Sequence, residues 1–168
     1  DNPIGKMNKL EAHQKGLLHR AISIFIFNSN GEMLLQKRAL HKYHTPGLWS
    51  NSACSHPRAN EFTKQAAERR LKEEMGISCD LYFSFSFLYK ASFENGLIEN
   101  ELDHVFIGFS DDKPMFNPSE VCDYKYAYSE ELLKEIKDTP EQFTPWFKIC
   151  LNKVLESQYY LQKNALIA

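Results

Sequence analysis

No stretch of the chain approaches the roughly 20 consecutive apolar residues that span a bilayer, and no secretory apolar core opens it. Neither sign of charge is in excess. Lys and Arg number 20 and Asp and Glu 22, a net charge of −2. A basic footprint for nucleic acid is therefore missing, and any affinity for phosphate must come from a local pocket. No repeat, linker or block of like charge is visible. Glycine and proline stand at seven each, beside 43% hydrophobic and 25% charged residues, which excludes collagen-like, low-complexity and disordered chains. The four cysteines, Cys54, Cys79, Cys122 and Cys150, form no CxxC pair, which argues against a zinc ribbon or a thioredoxin-like motif. Without an export signal they are expected to stay reduced, as in a cytoplasmic protein. Cys79, Cys122 and Cys150 read as small core residues. The 168 residues suffice for one domain, residues 1–168, and not for two cores. The opening at Asp1 rather than methionine implies that some sequence precedes it.

The pattern of apolar residues mixes strands and helices. Arg20–Phe27 reads as a strand, Ser29-Asn30-Gly31 as a turn and Glu32–Lys37 as the returning arm of a hairpin. Asn60–Met75 is the clearest helix, with Asn60 as its cap, Phe62, Ala66, Leu71 and Met75 as its stripe and Gly76 as its stop. Leu81–Ala91 alternates, placing Phe83, Phe85, Phe87 and Tyr89 on one face. Glu99–Phe109 is its expected antiparallel partner, and Tyr124–Tyr128 a further strand. A helix follows Ser129 as cap, and another runs from Thr144 to about Leu161 with Pro145 in its first turn. An α+β fold follows, with a mixed sheet sandwiched by helices.

The segment Ser55–Ile77 (SHPRANEFTKQAAERRLKEEMGI) is nearly the Nudix signature. That pattern is Gly, five residues, Glu, seven residues, then Arg-Glu-apolar-x-Glu-Glu-x-Gly-apolar. Glu61, Arg69, Leu71, Glu73, Glu74, Gly76 and Ile77 occupy its positions, and so many fixed positions over a loop, a helix and a loop are specific. Arg70 and Glu74 are four apart and share a helix face. A carboxylate there can hold a hard cation against a diphosphate. Ser55 departs from the opening Gly, and Arg70 stands where a metal-binding Glu is usual. A guanidinium in that position favours gripping a diphosphate over cleaving it. The plainer reading, that Arg69–Glu73 and Arg70–Glu74 are solvated helix pairs worth roughly 0.2–0.5 kcal/mol each, leaves Glu61, Gly76 and the spacing unexplained.

Further on, Glu99 and Glu101 are two apart and point to one face of a strand. Like charges so placed repel unless the face is wet or carries a cation. With His13, His19 and His56 they make a candidate site for zinc, manganese or another divalent ion. His41, His44 and His104 have no such company and read as structural or surface residues.

Taken together, Lys9–Ala21 (KLEAHQKGLLHRA), Gln36–Pro57 (QKRALHKYHTPGLWSNSACSHP), the altered Nudix helix, Phe87–Ala91 (FLYKA), ENE at 99–101 and FTPW at 143–146 resemble the type 1 isopentenyl diphosphate isomerase family. The resemblance runs from Lys9 to Trp146 and implies an enzyme that interconverts isopentenyl and dimethylallyl diphosphate by a 1,3 proton shift. It implies Cys54 and Glu101 as the proton-transferring pair on opposite faces of the substrate, with Tyr89 as proton partner and Trp146 offering a π face to the developing cation. It implies a divalent ion (Mn2+, Zn2+ or Mg2+) on His13, His19, His56, Glu99 and Glu101. A second ion, Mg2+, would bridge Glu74 and the diphosphate near Cys54. Lys9, Arg38, Lys42 and Arg70 match positions that hold the diphosphate. The Cys54 thiol is expected to have a lowered pKa. The partner would be a small prenyl diphosphate, with no nucleic acid or membrane, and the chain a monomer or weak dimer. Two other readings fit the helix: a Nudix hydrolase of a nucleoside or prenyl diphosphate, and a non-catalytic Nudix binding module.

Overall fold

The computed structural model describes residues 1–165. In chain order its elements are α1 (Lys9–Lys15), β1 (His19–Phe27), β2 (Met33–Arg38), β3 (Trp49–Ser50), β4 (Ala53–Ser55), α2 (Thr63–Met75), β5 (Leu81–Ser92), β6 (Ile98–Phe109), β7 (Val121–Ala127), α3 (Ser129–Asp138) and α4 (Pro145–Ala165). The strands form one mixed sheet in the order β3-β2-β1-β6-β5, with β4 beside β1 and β7 beside β2. The β1–β6 pair is parallel and the other strand pairs are antiparallel. No helix among the described residues is long and apolar enough to cross a membrane.

Alternation along β1 explains the layers. Ile22, Ile24 and Ile26 face one way and pack with Ala66, Ala67, Leu71 and Met75 of α2. Phe25 and Phe27 face the other way and pack with Phe147, Leu151 and Val154 of α4. Each buried Ile or Phe contributes about 1.5–3 kcal/mol relative to its exposed state, so one strand holds a helix on each face. This is the expected sandwich.

Two β-bulges re-aim side chains. Pairing of β5 with β6 shifts between Phe83 and Phe85, and an extra residue in a strand flips the alternation. Phe85, Phe87 and Tyr89 keep the α4 face, while Phe83 turns out, 56% exposed against Phe106. The expectation of four aromatics on one face is thus corrected to three. In the β2–β7 pair Lys37 stands opposite Asp123 and Arg38 opposite Val121, so the extra residue is Cys122 of β7.

The helix boundaries also differ from expectation. α2 starts at Thr63 with Phe62 as its cap residue. Asn60 lies before it at positive φ, in a turn closed when the Arg58 N–H donates to Glu61. Phe62 is exposed and not part of the stripe. α3 begins at Ser129 itself, after Tyr128, and α4 begins at Pro145 as expected. Gly76 ends α2 with φ 70°, and a Cβ there would lie 2.7 Å from the Met115 carbonyl oxygen. Ser55 sits in β4 and, unlike Thr45 and Asn60, is not at positive φ, so the missing glycine leaves the strand intact. Of the three cysteines expected in the core, only Cys150 is fully buried; Cys79 is half-buried and Cys122 exposed. Cys122 lies on the outer face of β7, and its thiol donates to the Arg38 carbonyl.

Candidate active site

A narrow cavity opens on the α4 side of the sheet, lined among others by Lys9, Arg38, Cys54, Tyr89, Glu101 and Trp146. β1 places the two central groups. Ser23 pairs with Cys54 on one edge of β1, and His19 pairs with Glu101 on the other. Strands flanking a common neighbour thus bring the sulfur and the carboxyl to one cavity from opposite sides. Trp146 enters from the start of α4. Its orientation is fixed where its indole N–H donates to Asn51 Oδ1 at 3.1 Å.

Arg38 Nη1 donates toward Cys54 Sγ at 3.5 Å. Even so, the thiol is pushed up to about 12. Burial is the largest cause, the charges of Arg38 and Lys9 offset it only in part, and Glu74 adds to it. The expectation of a lowered thiol pKa is therefore corrected: Cys54 rests as a thiol with its proton in place.

Three imidazoles converge on Glu101. Its Oε1 lies 2.9 Å from His56 Nε2, 3.4 Å from His19 Nε2 and 3.7 Å from His13 Nε2. The four ligand atoms all lie within 4.8 Å of one another. The outer nitrogens explain the aim. His13 Nδ1 donates to the Lys9 carbonyl and His19 Nδ1 to the Leu17 carbonyl, both at 2.7 Å. Those bonds set the tautomer and leave both Nε2 lone pairs facing inward. His13 Nε2 is buried with no hydrogen-bond partner, and His19 Nε2 is 3.2 Å from His56 Nε2. Converging lone pairs beside a carboxylate suit a divalent metal ion. Burial works to raise the Glu101 pKa, but the imidazoles of His13, His19 and His56 gathered on its carboxyl hold it well below the usual carboxylate range. The remaining Glu101 oxygen accepts from the Tyr89 hydroxyl at 2.5 Å.

Glu99 points elsewhere. Its Oε1 lies 2.8 Å from His44 Nε2, and its Oε2 accepts from Tyr89 at 3.1 Å. The converging group of four does not include it. Burial and then the charge of Glu101 push Glu99 up. His44 is 6% exposed and lines the cavity, so the reading of it as a bystander missed a part of the site. Burial, then the charges of Arg38 and Lys9, push its pKa down to about 2. Asp103, two residues beyond Glu101 on the same face, also lines the cavity and accepts from Ser23 Oγ at 2.7 Å. The spacing rule that found Glu99 and Glu101 extends to it.

The four candidate cations divide into two pairs. Lys9 and Arg38 line the cavity. Lys42 and Arg70 sit apart from its lining and meet on one carboxylate, Glu120. Arg70 also donates to Glu74 at 2.6 Å and to Glu73 at 2.9 Å, and Glu74 accepts from Gln36 at 2.8 Å. Glu120, in the turn before β7, carried no motif that would have marked it.

A family model for the NUDIX domain matches residues 17–147. The isopentenyl-diphosphate Delta-isomerase 2 of Aromatoleum aromaticum is 50% identical over 155 residues, covering 92% of this chain and 82% of that protein. The isopentenyl-diphosphate Delta-isomerase of Pectobacterium atrosepticum is 52% identical over 154 residues, covering 92% and 86%. Among solved structures, the MutT protein from Methanosarcina mazei aligns with a TM-score of 0.68 at 18% identity, covering 81% of this chain and 91% of that one, a likeness of fold alone. With half its residues shared along nearly its whole length, the chain belongs to the NUDIX domain family and, within it, to the isopentenyl-diphosphate Delta-isomerases.

Proposed function

We infer that this protein interconverts isopentenyl and dimethylallyl diphosphate, the reaction named by its relatives. The observation that carries the reading is the single cavity into which Cys54 and Glu101 project from the two edges of β1. The reaction moves one double bond. A proton adds to the terminal methylene carbon, the positive charge falls on the tertiary carbon, and a proton leaves the next methylene carbon. The net composition is unchanged. Two proton-transfer groups on opposite walls are what that balance requires. In this reading Cys54, with its proton in place, and Glu101, paired with Tyr89, are those groups. Trp146 turns a π face to the tertiary cation, worth about 2 kcal/mol when desolvated. Lys9 and Arg38 take the diphosphate end, with Lys42 and Arg70 behind them.

Three imidazole nitrogens with one carboxylate suit a borderline ion, and we assign manganese or zinc there rather than magnesium. Such an ion, when bound, would fix the aim of Glu101 and increase its acidity. Magnesium is assigned to Glu74 and the diphosphate. Hydrolysis is disfavoured because Arg70 stands among Glu73, Glu74 and Glu120, where hydrolases keep a carboxylate for metal. The experiment is incubation with isopentenyl diphosphate in deuterated water. Formation of dimethylallyl diphosphate with deuterium in the new methyl group is expected, and steady release of phosphate without that product would overturn the reading.

A further inference from the structure

The site holds one more histidine than the converging group uses. His44 lies in the loop between β2 and β3, and that loop is built to hold it. Arg38 Nη2 donates to the His44 carbonyl at 3.3 Å and Arg38 Nε to the Thr45 carbonyl at 3.2 Å. Thr45 itself takes a positive φ of 47°. The imidazole packs against Tyr43, Phe93 and Trp146 and meets Glu99 Oε1 at 2.8 Å through Nε2. Its Nδ1 is buried with no hydrogen-bond partner, the pattern of a neutral ring whose single N–H is on Nε2 and donates to Glu99.

That donation bears on Glu101 through a count of hydrogens. Tyr89 has one hydroxyl hydrogen and two carboxylates within reach, Glu101 at 2.5 Å and Glu99 at 3.1 Å. Both carboxylates are buried on one strand face and compete for that hydrogen. A donor from His44 satisfies Glu99 independently, and the phenolic hydrogen is left to Glu101. Without His44, Glu99 would turn to Tyr89 and draw it from Glu101.

We propose that His44 is a positioning residue of the isomerase site: by donating to Glu99 it reserves the Tyr89 hydroxyl for Glu101 and so holds the Glu101 carboxyl toward the three imidazoles. His44 makes no hydrogen bond to the imidazole group; it acts through Glu99 and Tyr89. The inference rests on the isomerase reading for its activity arm and on geometry alone for its metal arm.

The test compares wild type with His44→Leu and His44→Gln in two assays. One is retention of Zn2+ against a competing chelator, with no substrate present. The other is steady-state isomerisation. Outer partners of this kind change metal affinity or activity about 10–100-fold. His44→Leu is expected to lose Zn2+ affinity or kcat by at least about tenfold, on that scale, with KM little changed. His44→Gln, whose amide N–H reaches toward Glu99, is expected to recover part of the loss. If His44→Leu does not fold, His44→Asn, too short to reach Glu99, takes its place. Unchanged Zn2+ affinity and kcat in the folded loss variant would overturn the proposal. So would a loss that Gln does not reduce, since that is the mark of packing. If wild type retains Zn2+ but converts no isopentenyl diphosphate, the isomerase reading fails while the Zn2+ comparison still decides on His44.

Discussion

At the scale of single residues, the chemistry rests on side chains that β1 and its neighbours bring to one cavity. Cys54, His56, Glu99 and Glu101 stand in short segments whose spacing is itself a statement about strand faces, and the cavity brings all four to its walls. His44 sits in a loop, where no period relates it to a partner, and its contact with Glu99 spans the sheet. The protonation of Cys54 escapes the sequence for a related reason. The neighbouring cations are visible as residue types, but the depth of burial that outweighs them emerges only from packing. The roles proposed for Cys54 and Glu101 make a direct prediction. Positioned proton-transfer groups contribute typically about 10²–10⁴-fold, so Cys54→Ala and Glu101→Gln should each lower kcat by at least about 100-fold, with circular dichroism unchanged. Near-full turnover by Cys54→Ala would remove the two-sided proton shift.

At the scale of elements, α2 shows what a motif does and does not specify. The spacing from Glu61 to Arg69 was legible, and it closes the loop onto the helix: Arg69 donates to Glu61 at 2.7 and 2.8 Å and to Glu73 at 2.9 Å. The starting residue was not legible, because Asn60 is a good cap by type but is spent in the turn that brings Glu61 to Arg69. The same is true of the bulges in β5 and β7, which no local pattern announces. The Glu61 pair has a pH signature. Hydrogen bonds from Arg69, then the Arg58 backbone N–H, overcome burial and hold Glu61 at about 2, against 4.5 when free. A depressed carboxylate stabilises the fold above its unfolded value and loses that contribution as pH falls through its folded value. Wild type should therefore melt above Glu61→Gln at pH 6. Solvent screening limits such pairs to about 1 kcal/mol, or about 2–4 °C for a chain of this size. The gap should be constant above pH 4.5 and shrink progressively from there toward pH 2. A gap unchanged at pH 3 would show that Glu61 gains nothing from its charge.

At the scale of the whole molecule, the sandwich and the site share one wall. The mixed sheet and its two helical layers were legible from alternation and from the Nudix spacing, but α1 was not, since it has only seven residues, too few to be stable as an isolated helix. Tertiary contacts hold it. Ala12 and His13 are buried, and Asn100 donates to the Gly16 carbonyl at 3.0 Å. α4 closes the opposite side through Trp146, so Trp146→Ala should cost about 3–5 kcal/mol of stability. The same variant should also admit water to the cation, producing a tertiary alcohol diphosphate detectable beside dimethylallyl diphosphate. The cavity is narrow, with Lys9 of α1 and Trp146 of α4 among its lining. A tertiary cation formed there must be kept from water, so the walls should close over bound substrate. α1, only seven residues long, carries Lys9 and His13, two of the groups proposed to hold diphosphate and metal. Opening and closing should then be read as protease access. With divalent metal and isopentenyl diphosphate present, cleavage within residues 1–20 should slow several-fold relative to the metal-free protein, followed by mass spectrometry of the released peptides. Equal rates in both conditions would mean that α1 is not pinned by what the site binds.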